Sequence, residues 1–207
     1  GATPDGPPAS AVRATLGLVG YRHLLVEPDA IVLDRPGTGV TLNGIAQGYV
    51  TDRVAAMLGE SGLEAVLLDL GETRALGPRP DGTPWAVGLA DPGRDGALAA
   101  TLPLRRGAVA TSAGSGTPFE GSGRFHHLFD PRTGGCAGTW HSVTVQAPEA
   151  AIADALSTGF SAMDEAAIRR VVQDVPGLSA RLTGRGGVVE IPGADGSDPD
   201  ALSGRGG

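Results

Sequence analysis

The chain has 207 residues, 41% hydrophobic and 19% charged, which is enough apolar material to bury the core of a globular domain. With 16 basic and 23 acidic residues the net charge is −7, which argues against nonspecific binding to nucleic acid or an anionic membrane. The only cysteine, Cys136, excludes an internal disulfide and a cysteine-based metal cluster, and no apolar run reaches membrane-spanning length.

Glycine is frequent, with 34 residues, and 16 prolines add to it, so the composition predicts many turns. Because these residues cluster at the ends, we predict a flexible lead-in over 1–10 and a disordered tail over 193–207. The domain then spans 11–192. The chain starts with Gly1 and lacks a signal peptide, so we expect an N-terminal part to be missing.

Short strands alternate with two or three helices along the domain. The first predicted elements are a hairpin over 24–33 that turns at Pro28-Asp29, and a helix over 46–59. The apolar stripe of this helix is predicted to be Ala46, Val50, Val54, Met57 and Leu58. Strands are then predicted over 65–70, 85–90, 98–104, 107–112 and 125–129.

The second half begins with a predicted strand over 142–146, where β-branched residues alternate with polar ones. Helices are predicted over 149–163 and 165–175, and a final hairpin has strands over 180–183 and 188–191. Because strands outnumber helices and several are neighbours, we predict an α+β fold with a mixed, largely antiparallel sheet and two or three packed helices.

The helix over 149–163 carries a polar pair opposite its apolar stripe. Asp154 and Thr158 are four residues apart, so they lie on one helix face and offer two hard oxygen ligands, as Mg²⁺ prefers. The alternative is a solvated carboxylate near the helix N-terminus, stabilised by the helix dipole. Spacing alone favours this alternative.

Two further segments are candidate site linings. The glycines of 42–52 open a helix whose free N–H groups attract phosphate, although such a start is more often a plain turn. The second segment joins Thr111 and Ser112 to the polar row from His126 to Gly134. If residues 125–129 form a strand, His126 and His127 point to opposite faces, which favours one core and one surface histidine.

In their order along the chain, these segments resemble the ApbE family, the FAD:protein FMN transferases. The stretch from Gly44 to Asp52 resembles GGIAKGYAVD, and 69–77 resembles the family's glycine-containing strand and turn. Residues 110–112 and 127–134 resemble ATSG and HHIxDPxTG, and 153–158 resemble ADALST. The resemblance covers about residues 17–191 and implies an ApbE-like, T-fold-like domain.

The resemblance implies a magnesium ion held by Ala46 through its carbonyl and by the side chains of Asp154 and Thr158. It also implies bound FAD. The residues implied to contact FAD or the acceptor substrate are Gly44, Ala46, Gln47, Asp52, Thr111, Ser112, His127 and Asp130. This sequence departs from the family pattern at Asn43, at Gln47 in place of lysine, and at Gly71-Glu72 in place of a glycine pair.

The implied activity is Mg²⁺-dependent transfer of FMN from FAD to a threonine or serine hydroxyl of an acceptor protein, with release of AMP. Asp154 and His127 are both candidates for the base that accepts the hydroxyl proton. The alternatives are an FAD pyrophosphatase and a non-catalytic flavin-binding module. No nucleic-acid partner is expected. From the family we expect a periplasmic or exported protein, anchored to the membrane only through the missing N-terminal part.

Overall fold

The computed structural model describes residues 6–91, 94 and 96–194, and these form four α-helices and ten β-strands. The helices are α1 (Ala9–Leu16), α2 (Ala46–Glu60), α3 (Ala150–Phe160) and α4 (Glu165–Asp174). The strands are β1 (Leu24–Val26), β2 (Ile31–Leu33), β3 (Leu67–Asp69), β4 (Thr73–Ala75), β5 (Trp85–Ala90), β6 (Leu98–Leu104), β7 (Gly107–Ala113), β8 (Trp140–Ala147), β9 (Ser179–Gly184) and β10 (Gly187–Ile191).

Six strands form the central sheet in the order β10-β9-β8-β7-β4-β3, and every neighbouring pair is antiparallel. Two antiparallel pairs, β1–β2 and β5–β6, stand outside this sheet. The predicted α+β class with a largely antiparallel sheet is confirmed. Helix α1 is additional to the helices predicted from sequence.

The alternation of side chains along β7 divides the core into two layers. Ala108 and Ala110 pack with the buried residues of α3 and α4 on one face of the sheet. Val109 points to the other face and packs with β5 and β6. Helices α3 and α4 therefore cover one face of the central sheet, and strands β5 and β6 cover the other.

Helix α2 buries a different stripe from the predicted one. Its buried residues are the small side chains of Gly48, Thr51 and Ala55, whereas Val50 and Met57 are exposed. The prediction was wrong because α2 packs against α3 at close range, where small residues fit better than large ones. Hydrophobic periodicity predicts the helix but not which of its faces is buried.

The predicted strand over 125–129 is also wrong, because that segment forms only isolated bridges, Pro118 with His126 and Phe129 with Cys136. The loop satisfies its own backbone instead: the Glu120 carboxylate accepts hydrogen bonds from the N–H groups of Ser122 and Phe125. His126 is buried and His127 exposed, as the core-and-surface interpretation expected.

At the N-terminal end, the predicted lead-in overlaps α1, because Ala9 and Ser10 are helical. Residues 1–5 of that lead-in and residues 195–207 of the predicted tail lie outside the described residues. In the described part of the chain, no helix combines the length and the apolar character that crossing a membrane requires.

Candidate active site

The site begins where the N-terminal turns of α2 and α3 cross. A Cβ atom at Gly48 would lie 2.3 Å from the carbonyl oxygen of Ala150, so the two helices can approach this closely only if residue 48 is glycine. At this crossing the Gly48 N–H donates a hydrogen bond of 3.0 Å to Asp154 Oδ2. The close crossing therefore orients the Asp154 carboxylate.

Asp154 is only 5% exposed, so the alternative of a solvated carboxylate, which the spacing favoured, is wrong. Within the described residues its side chain makes a single hydrogen bond, through Oδ2, and Oδ1 makes none. Burial raises the pKa of Asp154, and the hydrogen bond from Gly48 acts in the opposite direction. A buried carboxylate with an oxygen left over is suited to bind a cation.

Thr158 lies one turn further along α3 and is fixed from two sides. The Ser112 hydroxyl on β7 is 3.2 Å from Thr158 Oγ1 and 2.8 Å from the hydroxyl of Ser157. A Cβ atom at Gly44 would lie 3.0 Å from Thr158 Cγ2 and 3.3 Å from its hydroxyl. Gly44 therefore lets the loop before α2 pass close to Thr158.

Ala46, the first residue of α2, lies in the chain between the two glycines that contact α3. Gly44 packs against Thr158, and Gly48 donates to Asp154. The segment thus approaches the same face of α3 at both ends. A carboxylate, a hydroxyl and a nearby main-chain segment are oxygen donors of the kind that Mg²⁺ prefers, an ion that fills its remaining positions with water and substrate.

The described residues contain no group of three or more histidine, cysteine, aspartate or glutamate side chains arranged to hold a metal ion. A cation at this site would therefore depend on hydroxyl and main-chain oxygens as well as on Asp154. Such a donor set is compatible with Mg²⁺ and differs from the sulfur and nitrogen ligands typical of zinc.

Asp52 anchors α3 within the structure. Its two carboxylate oxygens accept hydrogen bonds of 2.9 Å from the N–H groups of Ala150 and Ala151, at the start of α3. Arg74 on β4 approaches Oδ1 to 3.1 Å and donates to the Pro148 carbonyl at 2.6 Å. Asp52 thus caps a helix from outside it, and the carboxylate stabilises the positive end of the helix dipole.

The turn between β3 and β4 brings a second carboxylate towards the site. Gly71 has a positive φ of 104°, and a Cβ atom there would lie 2.7 Å from the Gln47 amide nitrogen. The next residue, Glu72, is only 8% exposed. Burial, then the charge of Asp154, then that of Asp69 raise the pKa of Glu72 to about 8.

The loop from 117 to 137 carries the remaining predicted residues. Arg132 binds both oxygens of the Asp130 carboxylate and donates to the Ala162 carbonyl at 2.6 Å, just beyond α3. The hydrogen bond from Arg132 lowers the pKa of Asp130. His127 is exposed, and within the described residues no hydrogen bond links its ring to Asp154.

A cavity of about 630 Å³ opens on the face of the sheet that carries β5. The β3–β4 turn, β5 and β7 line it, and Glu72, Thr73, Thr111 and Ser142 are among its polar residues. Thr111 and Ser112 are neighbours in a strand, so their side chains point to opposite faces. Thr111 thus faces the cavity, while Ser112 faces α3.

The ApbE family model matches residues 1–182 of this sequence. This chain belongs to the ApbE family. An FAD:protein FMN transferase of Vibrio cholerae serotype O1 (strain O395) is 34% identical over 170 residues, an alignment that covers 79% of this chain and 51% of the relative. One of Haemophilus influenzae is 35% identical over 135 residues, covering 63% of this chain and 39% of the relative.

Solved structures of the ApbE family share the fold. The ApbE protein of Thermotoga maritima superposes with a TM-score of 0.81 at 31% identity, covering 97% of this chain and 65% of that protein. The flavin transferase ApbE of Vibrio cholerae gives a TM-score of 0.75 at 29% identity, covering 91% of this chain and 62% of that one. Where a curated relative aligns with most of this chain, as the Vibrio cholerae protein does, the chain spans about half the length of that relative.

The ApbE motifs converge only in part. Gly44, Ser112, Asp154 and Thr158 lie together on the helix side of the sheet, and Ala46 lies in the chain between Gly44 and Gly48, which both contact α3. The other predicted residues do not join this group through any hydrogen bond in the described part of the chain: Gln47 lies against the β3–β4 turn, Asp52 caps α3, Thr111 faces the cavity, and His127 and Asp130 lie in the 117–137 loop.

Glu72 and Gly48 are functional candidates that were not among the predicted site residues. Glu72 follows strand β3 and a glycine turn, and a carboxylate in such a turn is a signal that the sequence offers. Its burial beside Asp154 depends on the pairing of β4 with β7, which sequence does not reveal. Gly48 stands inside the quoted motif, but its close contact with α3 is a tertiary feature.

Proposed function

We propose that this ApbE-family chain is an FAD:protein FMN transferase, which moves FMN from FAD to a threonine or serine hydroxyl of an acceptor protein. The observation that carries the proposal is the buried Asp154, held beside Thr158 at the crossing of α2 and α3. The names of the relatives from Vibrio cholerae and Haemophilus influenzae support this activity.

We propose that Asp154, Thr158 and the Ala46 carbonyl hold Mg²⁺. When bound, Mg²⁺ neutralises charge on the pyrophosphate of FAD. The chain's own residues prepare this site: Gly48 orients Asp154, and Ser112 holds the hydroxyl of Thr158. The burial that raises the pKa of Asp154 also makes its negative charge costly without a cation, which favours metal binding.

In the proposed reaction, the acceptor hydroxyl oxygen forms a bond to the FMN-side phosphorus of FAD. The bond from that phosphorus to the bridging oxygen breaks, and AMP leaves with this oxygen. The hydroxyl proton passes to a base, for which Asp154 and His127 are the two candidates. The contribution of the protein is to position the nucleophile in line and to stabilise the developing charge.

The test is to incubate the chain with FAD, Mg²⁺ and synthetic peptides that each contain one threonine or serine. Transfer gives a fluorescent peptide and an equal amount of AMP. AMP without labelled peptide would instead identify an FAD pyrophosphatase, and FAD binding without AMP would identify a flavin-binding module. The His127→Ala variant separates the two candidate bases, because an unchanged pH–rate profile excludes His127 from that role.

A further inference from the structure

Arg74 on β4 is a largely buried arginine to which the proposed reaction gives no role. Its Nη1 atom lies 3.1 Å from Asp52 Oδ1 and donates a hydrogen bond of 2.6 Å to the Pro148 carbonyl oxygen. Its Nε atom is buried and has no hydrogen-bond partner among the described residues. An unsatisfied buried donor costs stability, and departures of this kind are expected where a residue serves function.

The start of α3 lacks a cap of its own. The N-cap residue is Glu149, whose side chain makes no capping hydrogen bond in the described part of the chain, and the first turn contains no acidic residue. The first N–H groups of a helix have no partner within the helix. Here Asp52 of α2 accepts hydrogen bonds of 2.9 Å from the N–H groups of Ala150 and Ala151. The start of α3 therefore depends on a carboxylate that another helix supplies.

Asp52 and Gly48 contact α3 from the same face of α2, because they are four residues apart in that helix. Gly48 donates to Asp154, and Asp52 binds the N–H of Ala150, which lies one turn before Asp154 in α3. Two contacts one turn apart fix how far α3 can slide along α2. A shift at Ala150 would carry Asp154 with it, because both belong to the same helix.

Arg74 connects these contacts to the central sheet. A single nitrogen of its guanidinium contacts both Asp52 and the Pro148 carbonyl, so it links α2 to the segment that leads into α3. The side chains of Arg74 and Asp52 are each only 19% exposed, so Asp52 without Arg74 would be a poorly solvated and only partly compensated charge. The position of Asp52 therefore depends on Arg74.

We infer that Arg74 is a positioning residue for the proposed Mg²⁺ site, acting through Asp52 on the register of α3 against α2. The inference rests on the proposed function, which assigns the donors of this ion to both helices: Ala46 at the start of α2, and Asp154 and Thr158 on α3. The register of the two helices then sets the geometry of the donors. Mg²⁺ demands near-ideal octahedral geometry, whereas Ca²⁺ accepts longer and more variable distances. Loss of register should therefore weaken Mg²⁺ binding more than Ca²⁺ binding.

The test compares the wild-type chain with Arg74→Met, Arg74→Lys and the control Arg169→Met, which removes an exposed ion pair with Glu165 on α4. Calorimetric titration with Mg²⁺ and with Ca²⁺ gives the two Kd values of each protein. We expect Arg74→Met to weaken Mg²⁺ binding on the order of tenfold or more and to lower the preference for Mg²⁺ over Ca²⁺. The control should match wild type in both values.

Arg74→Lys should recover most of this loss. One nitrogen of Arg74 makes both contacts, and lysine supplies one charged nitrogen without the unpartnered Nε. Asp52→Asn should resemble Arg74→Met, and the double variant should lose little more than either single variant, because both substitutions break the same contact. If Arg74→Met does not fold, Asp52→Asn gives the same comparison of the two ions.

A wild-type Kd for Mg²⁺ in Arg74→Met would overturn the inference. Equal weakening for Mg²⁺ and Ca²⁺ would also overturn it, because a role in stability alone does not discriminate between the two ions. Additive losses in the double variant would show that Arg74 does not act through Asp52. A wild-type chain that binds no Mg²⁺ would instead overturn the proposed metal site itself, and the inference with it.

Discussion

At the residue scale, the candidate site contains two buried carboxylates, Asp154 and Glu72, that have different surroundings. Asp154 has a main-chain N–H to orient it, whereas the Glu72 carboxylate has no hydrogen bond within the described residues. Burial raises the pKa of both groups. The orientation of Asp154 supports the proposal that it holds a cation, whereas the raised pKa keeps Glu72 largely protonated at neutral pH.

Replacing Asp154 by asparagine keeps the shape of the side chain and removes its charge. Because a cation ligand is lost, we expect Mg²⁺-dependent release of AMP from FAD to fall on the order of 100-fold or more. The matched control is Asp174→Asn, at the exposed end of α4. Equal rates for the two variants, measured by chromatography of AMP, would contradict the metal assignment.

The free energy of unfolding should depend on pH, because the pKa of Glu72 differs between the folded and the unfolded chain. Its pKa is about 8 in the folded chain and 4.5 ordinarily, so the folded state binds the proton more tightly. The protonated group therefore stabilises the fold fully below the ordinary pKa, and this stabilisation is lost as the pH rises towards 8. The slope contributed by this residue is at most about 1.4 kcal/mol per pH unit.

Glu72→Gln removes this titration. Urea unfolding at several pH values between the two pKa values should show a flatter dependence for Glu72→Gln than for wild type. The difference between the two proteins removes the contribution of Glu190, whose pKa is also raised, and reports Glu72 together with its electrostatic coupling to Asp154. Parallel curves would show that the Glu72 carboxyl is not perturbed in the folded chain.

At the element scale, the crossing of α2 and α3 positions the candidate site. Substitutions at two glycines of α2 test how much the crossing depends on a small residue. Gly48→Ala brings a Cβ atom to 2.3 Å from the Ala150 carbonyl oxygen. A Cβ atom at Gly59 would meet no other group of the described residues within 4 Å. We expect Gly48→Ala to destabilise by about 1–3 kcal/mol through overpacking, and Gly59→Ala to stabilise by roughly 0.5–1 kcal/mol through helix propensity.

Chemical denaturation measures the free energy of unfolding of both variants. If Gly48 orients Asp154, Gly48→Ala should also weaken Mg²⁺ binding, because the helices must separate and the hydrogen bond to Asp154 is lost. Gly59→Ala should bind Mg²⁺ as wild type does. Similar stabilities for the two variants would mean that the crossing adapts to a larger residue.

The boundaries of some strands, but not of all, can be predicted from the sequence. Strands β5 and β6 have the predicted bounds, because short apolar runs between turn residues indicate strands clearly. The strand predicted over 125–129 failed, because Glu120 and Asp130 bond to the main chain of their own loop. Local side-chain bonds of this kind compete with sheet formation, and an alternating sequence does not reveal which will prevail.

At the scale of the whole molecule, the site joins α2, α3 and β7, so a ligand that bridges them should stabilise the fold. A ligand at a hundred times its Kd stabilises by about 2.7 kcal/mol, which raises Tm by about 5–10 °C for a domain of this size. We expect FAD and Mg²⁺ together to raise Tm by more than the sum of their separate effects.

Scanning calorimetry with each ligand alone and with both measures this coupling. In Asp154→Asn the rise due to FAD alone should persist in part, and the additional rise due to Mg²⁺ should disappear. Additive effects in the wild-type chain would mean that the cation and FAD bind independently.

The sequence by itself determined the fold class, most of the strands and the polar pair Asp154 and Thr158, because these follow from local periodicity and helical spacing. Only the tertiary structure decided that Asp154 is buried, that Asp52 caps α3, and that Glu72 lies beside Asp154. Each of these depends on contacts between segments far apart in the chain. Local sequence encodes the propensity of a segment, but burial and charge environment arise only when helices and sheet pack together.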